Sequence, residues 1–264
     1  MPTTPSGIYW ESQGPVAAPA VLLIEGYTGQ LIGWRDAFCD LLLAQGLRVL
    51  RMDNRDVGLS RREDGNYMIA DMADDVIDVI ADADLGKITI VGQSMGGLIA
   101  QHTALGYPNM VTGLVLFYTT PVLDDIDPGI LTAEIPRPQH REDAIASFLE
   151  GDRATASPAW GYDEAWKREL AGRMFDRAPD RSGLSRQRNA VALLPDLRPR
   201  LTELTMPVAL IHGRNDALIR ARGSLRIAEV VPQAELHLYP GMGHEIAPAL
   251  WDEFVAIITR IAVC

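Results

Sequence analysis

Residues 88–97 read ITIVGQSMGG, and this stretch decides the fold. The branched residues at 88–91 predict a buried strand, and the small residues from Met95 to Leu105 predict a helix. Ser94 then stands on an abrupt strand-to-helix turn, which holds its hydroxyl clear of the sheet. The flanking glycines leave room for backbone that passes close on both sides. A glycine-rich connecting turn is the simpler interpretation, but the strand before it and the helix after it favour a nucleophile.

Strands and helices alternate along most of the chain. Short apolar runs predict strands at residues 21–24, 47–52, 88–91, 111–118, 208–211 and 234–238. Longer patterns between these runs predict helices at 34–45, 68–83, 95–105, 218–230 and 247–263. Short strands fed by helices predict an α/β fold with a mainly parallel sheet and helices on both faces.

One segment interrupts this alternation. Residues 121–205 are polar, punctuated by proline and helical only in pieces. They contain too few apolar residues to build a core alone. We therefore predict a core made of residues 1–120 and 206–264, with residues 121–205 inserted as a helical lid or cap.

A serine hydroxyl is a weak nucleophile, so a histidine base and an orienting acid are expected elsewhere in the chain. His244 lies in the loop GMGHE at 241–245, between the last strand and the last helix. Such a loop can carry an imidazole over the carboxyl edge of the sheet, where ligands bind in open α/β folds. The other four histidines fit a structural or solvent-exposed position better; they are His102, His140, His212 and His237.

Asp216 is the preferred acid. It ends the segment HGRND at 212–216, directly after a predicted strand, and so emerges at the same sheet edge. There its carboxylate can accept the imidazole N–H and fix the tautomer. A helix N-cap is the competing interpretation of this residue. Asp124 and Asp125, which follow the strand at 111–118, are rival acids.

The oxyanion of a tetrahedral intermediate requires two hydrogen-bond donors. The backbone N–H of Met95, directly after the nucleophile, is the first candidate. The backbone N–H of Tyr27, in the loop EGYTG at 25–29, is the second. A simple glycine turn is the alternative for this loop.

The order Ser94, Asp216, His244 and the nucleophile turn resemble the α/β-hydrolase superfamily over nearly the whole chain. The stretch DNRDVGLS at 53–60 is similar to that family's structural loop after its fourth strand. Residues 25–34 and 53–60 resemble the branch of aclacinomycin methylesterase-like proteins and small carboxylesterases. One departure is Glu25, where most relatives carry histidine; its carboxylate should turn away from the oxyanion or pair, for instance with an arginine. A serine at position 94 argues against the branches with an aspartate nucleophile, haloalkane dehalogenases and epoxide hydrolases.

The resemblance implies a serine hydrolase that needs no cofactor or metal and cleaves a carboxylic ester of a small or medium, hydrophobic acyl compound. The same triad serves C–C bond hydrolases, amidases, thioesterases and perhydrolases, because it fixes acyl transfer but not the leaving group. A ligand receptor that turns over slowly and recruits a partner through its lid is an alternative of another class.

Aromatic and flexible apolar side chains are candidates for the substrate pocket. Each of them also fits ordinary packing between the lid and the core. They are Trp34 and Leu218 from the sheet edge, and Trp160, Trp166, Met174 and Phe175 from the predicted lid.

Composition sets outer limits on partners and location. The 264 residues include 24 basic and 35 acidic side chains, a net charge of −11. That charge disfavours nucleic acid and anionic membranes as partners, and it favours a neutral ester over an anionic substrate. The first twenty residues do not resemble a signal peptide, and we expect a cytoplasmic protein. Cys39 and Cys264 form no disulfide framework or zinc motif, and monomer and homodimer remain equally open.

Overall fold

The computed structural model describes residues 3–136 and 138–263, and its centre is a sheet of seven strands in the order β1-β3-β2-β4-β5-β6-β7. Neighbouring strands are parallel except for β1, which pairs antiparallel with β3. The α/β-hydrolase fold is therefore confirmed. Cys264 lies outside the described residues. The strands are β1 Trp10–Gln13, β2 Ala20–Ile24, β3 Arg48–Met52, β4 Ile88–Gln93, β5 Val111–Phe117, β6 Val208–Gly213 and β7 Ala234–Tyr239.

Sequence reasoning missed β1. This edge strand has four residues, WESQ, and three of them are polar or charged. Its register is set by partners 36 to 42 residues later, with Gln13 opposite Val49 and Trp10 opposite Met52. Edge strands are commonly short and polar, which removes the apolar run that marked the other strands.

Helices cover both faces of the sheet. Alternate residues of β2 point to opposite sides, as strand geometry requires. Leu22 and Ile24 pack in one buried cluster with α2 and α3, while Val21 and Leu23 pack in a second cluster with α1 and α10. The helices are α1 Asp36–Ala44, α2 Ile69–Asp82, α3 Met95–Gly106, α4 Pro128–Thr132, α5 Arg141–Arg153, α6 Glu164–Arg177, α7 Leu184–Ala192, α8 Arg198–Leu201, α9 Arg222–Val230 and α10 Trp251–Ala262.

Three helices begin later than the periodicity predicts. Short 3₁₀ turns at Leu31–Gly33 and Pro248–Leu250 precede α1 and α10. Before α9, the side chain of Asp216 accepts hydrogen bonds from the backbone of Leu218 and Ile219 and holds a turn there. A side chain that holds a turn can thus shift the first residue of a helix, although the apolar pattern of the helix is unchanged.

Helices α4 to α8 lie in the segment between β5 and β6. We call residues 121–205 the inserted segment. Ile145, Leu149 and Ala171 form a small buried cluster within it, and Leu170 packs on Leu31 of the core. Over the described ranges, no helix combines the length and apolarity needed to cross a membrane.

Polar contacts also join the inserted segment to the loop at 53–60. Arg177 forms a 3.0 Å ion pair with Asp53, and Arg186 forms one of 2.7 Å with Asp56. Asp53 also accepts a hydrogen bond from the backbone of Leu31. A Cβ at Gly58 would lie 2.1 Å from the Asp53 carboxylate, so this turn excludes any side chain. The loop therefore fixes one edge of the inserted segment against the core.

Candidate active site

Ser94 occupies the turn between β4 and α3 in a conformation that side chains rarely adopt, with φ 55° and ψ −120°. The turn is tight because backbone crosses it from two sides. A Cβ at Gly92 would lie 2.3 Å from the carbonyl oxygen of Gly96, and a Cβ at Gly96 would lie 2.3 Å from that of Ile24. These glycines are required sterically, and they hold Ser94 at the carboxyl end of β4.

His244 and Asp216 meet at the same edge of the sheet. His244 Nδ1 lies 2.7 Å from Asp216 Oδ2. The other carboxylate oxygen, Oδ1, accepts from the backbone N–H groups of Leu218 and Ile219 at 2.8 and 2.9 Å. Burial alone would raise the pKa of Asp216, but the charge of His244 and hydrogen bonds from His212, His244 and Ile219 outweigh it and hold that pKa below its usual value. The carboxylate is therefore a fixed anion beside the imidazole.

His212 supports this carboxylate from behind. Its Nε2 lies 3.3 Å from Asp216 Oδ2 and 2.9 Å from the carbonyl oxygen of Ile219. Two acceptors at one nitrogen place the proton on Nε2, so Nδ1 accepts from the hydroxyl of Ser224 at 2.7 Å. The sequence indicated a structural role for His212, but its contact with Asp216 is visible only in the fold.

The loop that carries His244 is held by the inserted segment. The N–H of Gly243 donates to Ser157 Oγ, and the N–H of His244 donates to the carbonyl of Thr155, both at 2.8 Å. Tyr118 lies on the other side, with its ring centroid 4.4 Å from that of His244. Ser157 was not among the sequence candidates, because the contact spans 86 residues and leaves no local signal.

The loop after β2 lies directly against Ser94. A Cβ at Gly26 would be 3.1 Å from Ser94 Cβ and 3.5 Å from its Oγ, so a side chain here would crowd the serine. Tyr27 is the next residue, and Met95 is the first residue of α3. The first N–H groups of a helix lack partners inside it, so Met95 can donate toward a ligand at the serine.

Glu25 is buried beneath this loop. Its carboxyl group fits between Gly29 and Gly33, where a Cβ at either glycine would come within 2.4 Å of a carboxyl oxygen. Among the described residues it forms no ion pair with an arginine, so the pairing that the sequence offered as one of two alternatives is not found. Burial raises its pKa to about 8, against the opposing effects of the Gly26 N–H, Lys167 and Gln93. At neutral pH this carboxyl is therefore mostly protonated and places little negative charge near Ser94.

Replacing Glu25 with glutamine is expected to flatten the pH dependence of stability. The carboxyl ionises from about 4.5 in the unfolded chain but only near 8 in the folded protein, so unfolding releases a proton between these values. The free energy of unfolding of the wild type should therefore fall as pH rises through this window, by about 3 kcal/mol between pH 5 and pH 8 from this group. Urea unfolding at four pH values gives the slope of the free energy of unfolding against pH for the wild type and for Glu25→Gln.

The matched control for this experiment is Glu229→Gln, which removes an exposed carboxyl from α9. It should follow the wild-type slope. If Glu25→Gln also follows that slope, Glu25 is not a neutral buried acid.

A cavity of about 520 Å³ opens beside Ser94 and His244. Four of the six pocket candidates line it: Trp34, Leu218, Trp166 and Met174. Trp160 does not; its indole N–H donates to the carbonyl of Pro240. Phe175 lines a separate small cavity instead. Both belong to the inserted segment. Its apolar residues follow no clear helical period, so the sequence did not indicate which of them face the cavity.

The rival acids lie apart from this cavity. Asp125 is buried and forms ion pairs with Arg222 and Arg226. Asp124 is exposed. Residues 3–136 and 138–263 also contain no group of three His, Cys, Asp or Glu side chains placed to hold a metal ion.

Comparison with known proteins identifies the family. Residues 19–140 match the model of the alpha/beta hydrolase fold, and residues 184–248 match that of serine aminopeptidase S33. The chain is 30% identical over 249 residues to a Variovorax paradoxus protein that carries the carbamate hydrolase name RutD, covering 90% of this chain and 89% of that protein. The chain belongs to the α/β-hydrolase family.

Two further relatives illustrate the range of that family. A pimeloyl-[acyl-carrier protein] methyl ester esterase from Nitrosomonas europaea is 28% identical over 230 residues, covering 81% of this chain and 84% of that protein. The enol-lactonase from Burkholderia xenovorans superposes with a TM-score of 0.81 at 19% identity, covering 99% of this chain and 98% of the other. The names of these relatives are those of hydrolases that act on ester-like bonds.

Proposed function

We propose that this protein is a serine hydrolase that cleaves carboxylic esters of small or medium hydrophobic acyl compounds, with Ser94 as its nucleophile. The observation that carries the proposal is the 2.7 Å contact between His244 Nδ1 and Asp216 Oδ2. The imidazole of His244 lines the same cavity as Ser94, whose backbone is strained. Relatives named as an esterase and a carbamate hydrolase support the ester-like bond.

In this mechanism His244 acts through Nε2. Its Nδ1–H donates to Asp216, so the free lone pair of Nε2 accepts the Ser94 proton as Oγ attacks the substrate carbonyl. The imidazolium then gives that proton to the departing alkoxide, and an acyl-enzyme ester remains on Ser94. A water molecule, deprotonated by the same imidazole, attacks this ester and releases the acid.

The negative oxygen of each tetrahedral intermediate is stabilised by the backbone N–H groups of Met95 and Tyr27. Gly26 brings the second donor near, because its backbone packs against Ser94. The neutral state of Glu25 at pH 7 matters here, since an ionised carboxylate below the loop would oppose the developing charge. The inserted segment acts as the lid over this chemistry, and through Ser157 it also orients the loop that carries His244.

Labelling with a fluorophosphonate probe tests the assignment of the nucleophile. We expect one covalent adduct, mapped to Ser94 by mass spectrometry of the digested protein, and parallel loss of activity on p-nitrophenyl butyrate. A panel of ester, thioester, amide and diketone substrates then compares leaving groups. The proposal would be contradicted by an active protein that forms no adduct, or whose adduct lies on another residue. Fast multiple turnover would argue against a slow-turnover ligand receptor.

A further inference from the structure

Two arginines of the inserted segment line the cavity that contains Ser94. Arg188 lies on α7, and Arg181 lies just before it, where its carbonyl accepts from the N–H of Leu184 and begins the first turn. Both side chains are half-buried and line the same cavity, and we refer to the two together as the guanidinium pair.

Neither guanidinium has an acidic partner within the described part of the chain. Arg188 donates to the carbonyl of Ala133, and its Nε is buried without a hydrogen-bond partner. Burial lowers the pKa of Arg181, and Tyr27 alone opposes that effect. Arg177 and Arg186 of the same segment, by contrast, each form an ion pair with a buried aspartate. A cation withdrawn from water without a counter-charge is costly unless a ligand supplies the charge.

The remaining charged groups of the described cavity wall either have an ion-pair partner or are neutral. Those on the His244 side form ion pairs, and the one beneath the oxyanion loop is neutral at pH 7. They are Arg35 with Asp163, Lys167 with Asp152 and Glu245, and Glu25. Among the described residues that line the cavity, Arg181 and Arg188 are thus the cations without an acidic partner, whereas Lys167 faces two carboxylates. The chain as a whole has a net charge of −11.

The pair lines the same cavity as Tyr27 and Ser94. The charges of Arg188 and Arg181 both act on its hydroxyl and lower its pKa, against the larger effect of burial. Tyr27 directly follows Gly26, which packs on Ser94. In addition, Gln187 accepts from the backbone of Thr28 and donates to the carbonyl of Arg55, so α7 is tied to the same loop. The guanidinium pair therefore lies near the loop that carries Tyr27.

We propose that Arg181 and Arg188 form a binding subsite for a carboxylate carried by the substrate, so that the preferred esters are monoesters of dicarboxylic acids. This inference rests on the proposed function. Guanidinium groups bind carboxylates through paired, charge-assisted hydrogen bonds. Apolar residues that line the same cavity, such as Leu218 and Val191, accommodate the methylene chain. The net charge favoured a neutral ester, but at physiological ionic strength charges farther than about 8 Å are screened, and the local pair dominates.

Esterase kinetics with matched substrates tests the subsite. The monomethyl esters of succinate, adipate and suberate are compared with methyl esters of monocarboxylic acids of equal length. At about 0.15 M ionic strength, we expect kcat/KM for the best monoester to exceed that of its neutral match by about tenfold or more. Arg181→Gln and Arg188→Gln should each lower this ratio by about tenfold, mainly through KM, and Arg188→Lys should restore part of it.

Arg173→Gln is the matched control, because it removes an exposed arginine from α6 that does not line the cavity. It should leave the ratio unchanged. Calorimetry measures the affinity of the Ser94→Ala protein for adipate. This affinity should fall by about tenfold when Arg181→Gln is added.

Failure of the subsite and failure of the proposed function give different results. If neutral esters are hydrolysed with a ratio near one that neither arginine variant changes, the subsite is refuted while the nucleophile stands. If no ester of either kind is hydrolysed and Ser94 forms no fluorophosphonate adduct, the proposed function fails, and adipate binding then decides the subsite alone.

Discussion

Ser94→Ala is expected to lower kcat for p-nitrophenyl butyrate by about 10⁴-fold or more, because no other group can form the acyl-enzyme. Binding of the ester should change little, since the cavity wall remains. Steady-state and single-turnover kinetics measure the loss, and the burst of nitrophenol that accompanies acylation should disappear with it.

The fold should survive this change. Backbone contacts hold the turn: the N–H groups of Gly97 and Leu98 donate to the carbonyl of Ser94, and Thr119 Oγ1 donates to the same oxygen. Alanine retains the Cβ and thus the same backbone strain at φ 55°. Ser12→Ala, on the distant edge strand β1, is the matched control and should keep full activity. A Ser94→Ala protein with activity within tenfold of the wild type would refute the nucleophile.

The sheet and its helices were predictable because their signals are local. Residues 21–24 and 208–211 are continuous apolar runs, and both lie in buried parallel strands of the structure. The turn at Ser94 was predictable for a similar reason, since a strand, glycines and a helix follow one another within ten residues. Asp216 and His244 each follow a strand directly, and parallel strands bring such positions to one edge.

Contacts between distant segments left no such signal. Ser157 reaches the His244 loop across 86 residues, and Arg186 reaches Asp56 across 130. The state of Glu25 depends on burial between two glycines, which no sequence pattern reports. Trp160 and Trp166 look alike in sequence, yet only Trp166 lines the cavity. Such properties arise from packing and not from periodicity.

Asp216→Asn is expected to lower kcat by about 10³-fold to 10⁴-fold while leaving the nucleophile in place. The reason lies in the donors that surround the carboxylate. Oδ1 accepts from two backbone N–H groups, and Oδ2 faces His244 Nδ1 and His212 Nε2. An asparagine that keeps its oxygen toward the backbone turns its NH₂ toward His244. That NH₂ donates to Nδ1, so the imidazole proton moves to Nε2, where no lone pair remains to accept the Ser94 proton.

The opposite orientation of the amide is worse for the fold, because its NH₂ would then face the N–H groups of Leu218 and Ile219. The tautomer change should therefore prevail, with loss in kcat and little change in KM, and with slower labelling of Ser94 by fluorophosphonate. Asp124→Asn, at the exposed rival acid, is the matched control and should keep wild-type kinetics. Full activity in Asp216→Asn would show that another residue acts as the acid. A large loss in Asp124→Asn or in Asp125→Asn, with Asp216→Asn active, would identify that residue, since each rival follows β5 as Asp216 follows β6.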